Sequence, residues 1–182
     1  RYRGGWSQLD LISEGKEQAK KLAEFLYFKQ KEFKITKVIS SDLPRVLATA
    51  NEVVKKIDVR VEFDNELREM NNGNLAGMLN KEALVKYHGL FFNTLRMDEK
   101  YPNGESPDDF YKRVKRWFDD VICKYKHSNE NILIVTHGGV INIICHVVKD
   151  IEWTNKNKLF KTSDVAISKL TCDGKLEFEM EN

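Results

Sequence analysis

The segment Asn131 to Val148, "NILIVTHGGVINIICHVV", is apolar from Ile132 to Val135, breaks at Thr-His-Gly-Gly, and turns apolar again for the length of a helix. A short continuous apolar run that passes through glycines into an apolar helix is typical of a parallel strand covered on both faces. Such a strand requires parallel neighbours joined by helical crossovers, so the rest of the chain must alternate strands with helices.

It does. From Ser13 to Gln30, apolar residues at Ala19, Leu22, Ala23, Phe25 and Leu26 recur at helical spacing opposite lysines and glutamates, which predicts an amphipathic helix. "KITKVISSD" predicts a strand and a tight turn, and "LPRVLATANEVVKKI" a helix with proline in the first turn, where it is tolerated. "VRVEF" (59–63) predicts a further strand, and "DNELREMNNGNLAG" an irregular polar loop. Asn80 to Leu95 predicts a helix, 101–107 a turn, and the stripe Phe110, Val114, Trp117, Phe118, Val121 and Ile122 another helix. "DVAISKL" and "KLEFEME" predict a strand pair joined across the Asp-Gly of "TCDGK". The alternation makes the fold class α/β.

At 182 residues the expectation is one domain over 1–182. A composition of 41% hydrophobic and 32% charged residues with a net charge of +2 is ordinary for a globular protein and lacks the basic footprint of a nucleic-acid binder, so no nucleic-acid partner is expected. The apolar window 132–148 carries polar interruptions and is shorter than the roughly 20 residues of a membrane span. Cys123, Cys145 and Cys172 are scattered and odd in number, which is neither a disulfide framework nor a zinc site. A reducing, cytoplasmic location is expected, with no metal.

Two predicted strand ends are chemically loaded. One delivers Arg45 in the first helical turn after Ser41 and Asp42; the other delivers His137, with Gly138 and Gly139 opening the next helix. In parallel sheets ligands bind at the carboxyl ends of strands, where helix N-termini attract anions. Arginine forks around phosphate, imidazolium adds charge, and backbone N–H groups beside glycine complete a cradle. The expectation is an anion pocket for a phosphoryl group. "GGVINI" is not a dinucleotide fingerprint, and no P-loop lysine motif is present.

These segments resemble the histidine phosphatase superfamily, the phosphoglycerate mutase-like fold, in its small phosphatase branch. "VISSDLPRVLATA" is similar to that family's S-D-L-x-R segment, "LREMNNGNLAG" to its L-x-E-x-x-x-G-x-x-x-G segment, "NGESPDDFYKRV" to its G-E-S segment and "VTHGGVI" to its T-H-G-G segment, all in the family's order. "RYRGGWSQLDLISEGKEQA" resembles the region that begins R-x-x-G, with one residue inserted around Gly5. The resemblance implies a three-layer α/β/α sandwich with a mostly parallel central sheet. It implies that Arg45 and His137 are phosphate-binding catalytic residues, that Gly138 lines the phosphate site, and that Glu69 gives a proton to the departing alkoxide. A leaving alcohol needs a proton, and a carboxylic acid in a partly desolvated loop beside the phosphate suits that task. Arg3 and Gly4 fall where the family contacts substrate, Arg3 standing where glutamine, serine or threonine is usual.

One departure matters. The family reacts through a phosphohistidine on an Arg-His-Gly motif ahead of R-x-x-G, and no such motif occurs here; His88, His127 and His146 do not stand in for it. The expectation is a phosphomonoester hydrolase of a small phosphorylated metabolite, metal-free and cofactor-free, whose first strand and nucleophilic histidine lie upstream of Arg1. A phosphoglycerate mutase and a catalytically inactive phosphate-ester binder are the alternatives. The compact stretch between "NLAG" and "NGES" favours the phosphatase over the mutase, and "KEALVKYHGLFFNTLRMDEKYP" is expected to cap the pocket and select among substrates such as a phosphosugar, a nucleotide-pathway phosphate or a ribazole phosphate.

Overall fold

A computed structural model of the chain describes residues 1–157, 159–160, 162–172 and 176–181. In chain order its elements are α1 (Ser13–Phe33), β1 (Lys37–Ser40), α2 (Pro44–Ile57), β2 (Val61–Phe63), α3 (Asn80–Lys86), α4 (Pro107–Tyr125), β3 (Ile132–Val135), α5 (Gly138–Val148), β4 (Ile167–Cys172) and β5 (Leu176–Glu181). Single 3-10 turns, Asn65–Leu67 and Gly73–Leu75, interrupt the loop between β2 and α3.

β1 is the middle of a parallel sheet of order β2-β1-β3, with Val38 opposite Leu133 and Ile39 opposite Ile134. Because strand side chains alternate between faces, each strand feeds two cores. Val38 and Leu133 pack with Ala23 and Leu26 of α1 and with Val53 and Ile57 of α2. Ile39 and Ile134 pack on the opposite side with Phe110, Val114 and Trp117 of α4 and with Val140 and Ile143 of α5. This is the expected α/β/α layering, and it explains why "ILIV" is apolar at every position: both faces of β3 pack, partly buried, against helices.

Local chemistry sets the helix ends. α2 has Pro44 in its first turn and stops at Asp58, whose backbone is left-handed (φ 51°). α4 starts on a capping box in which Ser106 Oγ accepts from the Asp109 N–H at 3.0 Å while the Asp109 carboxylate accepts from the Ser106 N–H at 3.1 Å.

Three details differ from the sequence expectation. α3 ends at Lys86 instead of continuing to Leu95. Gly89 adopts φ 75°, and Thr94 Oγ1 accepts from the Phe91 N–H and donates to the Gly89 carbonyl, so a locally bonded turn replaces the helix. β2 is confined to Val61–Phe63, the residues in register with β1. The predicted strand pair is present as an antiparallel β4–β5 hairpin that forms a sheet of its own, while its Asp-Gly turn lies outside the described residues.

That hairpin is placed informatively. Ile167 of β4 joins the α1/α2 core and Leu170 joins the α4/α5 core, so β4 lies in the layer of the parallel sheet. Among the described residues, however, no strand bonds β3 on the side away from β1. The described helices include none long and apolar enough to cross a membrane.

Candidate active site

Parallel pairing of β1 and β3 brings their carboxyl ends to one edge, and the Ser41 N–H donates to the Val135 carbonyl at 3.0 Å across that edge. β1 continues into Ser41 and Asp42 and, through the first turn of α2, into Arg45; β3 continues into Thr136 and His137, the N-cap of α5. The two sequence-predicted cationic residues meet there, with Arg45 Nη2 at 3.1 Å from His137 Nδ1. A guanidinium only donates, so Nδ1 accepts and the ring proton sits on Nε2, facing Ser41 Oγ at 2.9 Å. The imidazole is therefore neutral. Burial, together with the charges of Arg45 and Arg113, pushes its pKa down to about 3.

Arg45 is anchored from the chain's first residues: Nη2 donates to the Gly5 carbonyl at 2.9 Å and Nη1 to the Ser7 carbonyl at 3.5 Å. Gly5 has φ 59°, and a Cβ there would lie 1.9 Å from Asn72 Oδ1, so both conformation and space demand glycine. Burial lowers the Arg45 pKa and the nearby Glu69 charge opposes that shift. No carboxylate forms an ion pair with Arg45 among the described residues, which leaves it a partly buried, incompletely neutralised cation.

Glu69 completes the cluster. Its Oε2 accepts from the Gly139 N–H at 3.2 Å and its Oε1 from the Met70 N–H at 3.0 Å, so the carboxylate occupies the start of α5. A Cβ on Gly139 would lie 2.2 Å from Glu69 Oε1, which is why the second glycine must be glycine. The expected backbone cradle thus holds a protein carboxylate at Gly139. At Gly138 a Cβ would approach Thr162 Oγ1 at 3.2 Å. Gly4 is exposed and its carbonyl accepts from the Ser7 N–H, while Arg3 lies on the same strip with its guanidinium over the Phe91 ring.

The scaffold under Glu69 was not legible from the sequence as a set of roles. Arg113 of α4 forks onto Glu105 at 2.7 and 3.0 Å and donates to the carbonyls of Glu66, Arg68 and Glu69. Glu105 also accepts from the Asn71 N–H at 2.8 Å. From the other side Trp6 Nε1 donates to the Glu69 carbonyl at 2.6 Å, and Arg68 stacks over Trp6 while forking onto Asp42 at 2.6 and 2.5 Å. That fork lowers the Asp42 pKa and raises that of Arg68. The Gly-Glu-Ser and Ser-Ser-Asp segments marked the region, but the partners of Glu105, Asp42 and Ser41 lie up to 96 residues away. The remaining histidines stand apart: His88 and His127 are exposed, and the buried His146 ring is hydrogen-bonded to the Asn142 carbonyl.

Arg45 and His137 at adjacent parallel strand ends, with the Glu69 carboxylate on the adjoining helix start, make up the candidate site of the chain. Residues 1–179 match the family model described as the histidine phosphatase superfamily (branch 1), and the chain belongs to that family. It is 36% identical over 141 residues to phosphoglycerate mutase-like protein 4 of Arabidopsis thaliana, an alignment covering 75% of this chain and 59% of that protein. It is 31% identical over 130 residues to phosphoserine phosphatase 1 of Hydrogenobacter thermophilus, covering 70% and 59%. The chain thus spans about three fifths of the length of the curated relatives it matches, at 59% in both cases. Among solved structures, YhfR of Bacillus stearothermophilus superposes with a TM-score of 0.83 at 22% identity, covering 100% of this chain and 88% of that one. That similarity shows the phosphoglycerate mutase-like fold.

Proposed function

We propose that this chain carries the phosphate-binding and proton-donating half of a phosphomonoesterase acting on a small phosphorylated metabolite. The observation that carries the reading is the meeting of Arg45 and His137 with Glu69 at one sheet edge, where Arg45 has no ion-pair partner among the described residues and the Glu69 carboxylate stands on the adjoining helix start. A phosphoryl group bridging Arg45 and His137 satisfies both, and His137 takes up a proton as the dianion arrives. Positioned cationic donors then stabilise the charge of the transferring phosphoryl group without magnesium. Glu69, held beside that group by the start of α5, protonates the leaving alkoxide and afterwards activates the water that releases phosphate.

The nucleophile in this reading is a histidine on a further strand, seated on the open edge of β3. Among the described residues β3 is apolar yet bonded on one side only, and β4 contributes to both cores without being bonded to it. An apolar edge with unpaired backbone groups is a receptor for one more strand. A histidine at that strand's carboxyl end would reach the same edge as Arg45 and His137.

The test is a phosphatase screen on the polypeptide extended upstream of Arg1, followed by quenching during turnover. Turnover with a protein-bound phosphoryl group that is labile to acid and stable to base supports the phosphohistidine route. Turnover lost on replacing the upstream histidine, with phosphate binding retained, assigns the nucleophile. A second reading, a phosphate-ester binder without turnover, is favoured by the absence of a second histidine near His137 in this chain; phosphate binding without hydrolysis by the extended polypeptide would establish it.

A further inference from the structure

Among the described residues Arg3, two positions before the Gly5 carbonyl that anchors Arg45, has no counter-ion. The Arg3 backbone is fixed against the loop before α3: its N–H donates to the Met78 carbonyl at 2.8 Å, its carbonyl accepts from the Gly77 N–H at 2.9 Å, and Tyr2 bridges to Leu79. Its guanidinium carbon lies 4.9 Å from the centre of the Phe91 ring. The Arg3 charge also reaches the buried Tyr101 hydroxyl. Arg3 Nε is buried and has no hydrogen-bond partner. Other arginines near the site are satisfied: Arg68 by Asp42, Arg113 by Glu105, and Arg45 in part by the Gly5 carbonyl. Among the described residues no carboxylate pairs with Arg3.

A guanidinium N–H removed from water and left unbonded is costly, so the position is stable only if something supplies an acceptor. Position in the chain says where that acceptor comes from. Arg3 is two residues from Gly5, whose carbonyl receives Arg45 Nη2, and two residues span at most about 7 Å. Phe91, under the guanidinium, belongs to the turn that follows α3. Arg3 is thus tied through its side chain to that turn and through its backbone to the segment that anchors Arg45. A planar fork on an aromatic face suits a carboxylate or phosphate and not a hydroxyl alone.

We propose that Arg3 binds a second anionic group of the substrate, so that the ester hydrolysed is a phosphorylated acid with its carboxylate or second phosphate a few bonds from the scissile phosphate. This rests on Arg45 and His137 holding the first phosphate.

The test uses the polypeptide extended upstream of Arg1 and three esters. They are 3-phosphoglycerate, glycerol 3-phosphate, in which the carboxylate is replaced by a hydroxymethyl group, and 1,3-propanediol bisphosphate. The wild type should prefer one of the two doubly anionic esters over glycerol 3-phosphate by roughly ten-fold or more in kcat/KM, mainly through KM, as expected for a charge-assisted hydrogen bond. Whichever ester is preferred identifies the second anion as carboxylate or phosphate. Arg3→Gln should bring that ratio near one, and Arg3→Lys should keep part of it. A wild-type ratio near one, or an Arg3→Gln variant that loses all three esters alike, overturns the proposal. If no ester is hydrolysed, the same ratios are read from calorimetric affinities. An Arg3-dependent preference there supports the second-anion site while refuting the hydrolase reading, and absence of binding by all three esters refutes both.

Discussion

In the proposed site, the neutral His137 imidazole between a guanidinium and a hydroxyl is expected to answer an arriving anion by gaining a proton. Free His137 has its pKa pushed down to about 3 by burial and by Arg45 and Arg113, and a bound dianion cancels part of that positive field and raises it. Linkage fixes the sign: the bound state takes up the proton at higher pH than the free state, so affinity must rise as pH falls through the bound pKa and level off near 3. Sulfate, which does not itself titrate in this range, should bind more tightly at pH 5 than at pH 8, and His137→Asn should lose most of that slope. Calorimetry at the two pH values checks it; a flat profile in the wild type would remove His137 from anion binding. Glu69 calls for a kinetic test. In the extended polypeptide Glu69→Gln should slow esters of poorly acidic alcohols by roughly 100-fold or more. It should affect p-nitrophenyl phosphate far less, because nitrophenolate leaves with little protonic help. Equal losses on both substrates would take Glu69 out of the acid role.

At the scale of elements, the irregular segment between β2 and α3 holds its shape because α4 reaches into it. Arg113 is nearly buried, forks onto Glu105, and supplies donors to three carbonyls of the segment, those of Glu66, Arg68 and Glu69. Arg113→Met should therefore cost about 3–5 kcal/mol, since it strands a buried carboxylate and leaves those carbonyls unsatisfied. Adding Glu105→Leu should recover part of the loss by removing the stranded charge, though the Asn71 N–H then loses its acceptor. Denaturant unfolding of the single and double variants decides; a single variant within about 1 kcal/mol of wild type would show that the network is dispensable. Few of these connections could be read from spacing. The glycines at 138 and 139 and the cap at Ser106 follow from local rules, whereas the helix expected to run to Leu95 yields to the turn at Gly89 because Thr94 bonds its backbone.

For the whole molecule, Arg45 and His137 both follow the carboxyl ends of adjacent strands of one parallel sheet, so their meeting is part of the fold. Phosphoryl transfer depends mainly on positioning and charge, and the prediction is that chelators leave the turnover of the extended polypeptide unchanged. A rate abolished by chelation and restored by magnesium would contradict the mechanism. The sequence determined the alternation of elements, the packing of "ILIV" on both its faces and the strand ends that carry Arg45 and His137, because side-chain periodicity and turn chemistry are local properties. Only the tertiary structure decided that Nδ1 of His137 accepts from Arg45, that Glu69 takes the Gly139 N–H, and that Arg3 Nε finds no acceptor among the described residues. Such facts depend on which distant groups desolvate one another. Hydrogen bonding and charge compensation in a buried site are set by distances of a few ångströms between residues as far apart as Ser41 and His137, and no pattern along the chain encodes those distances.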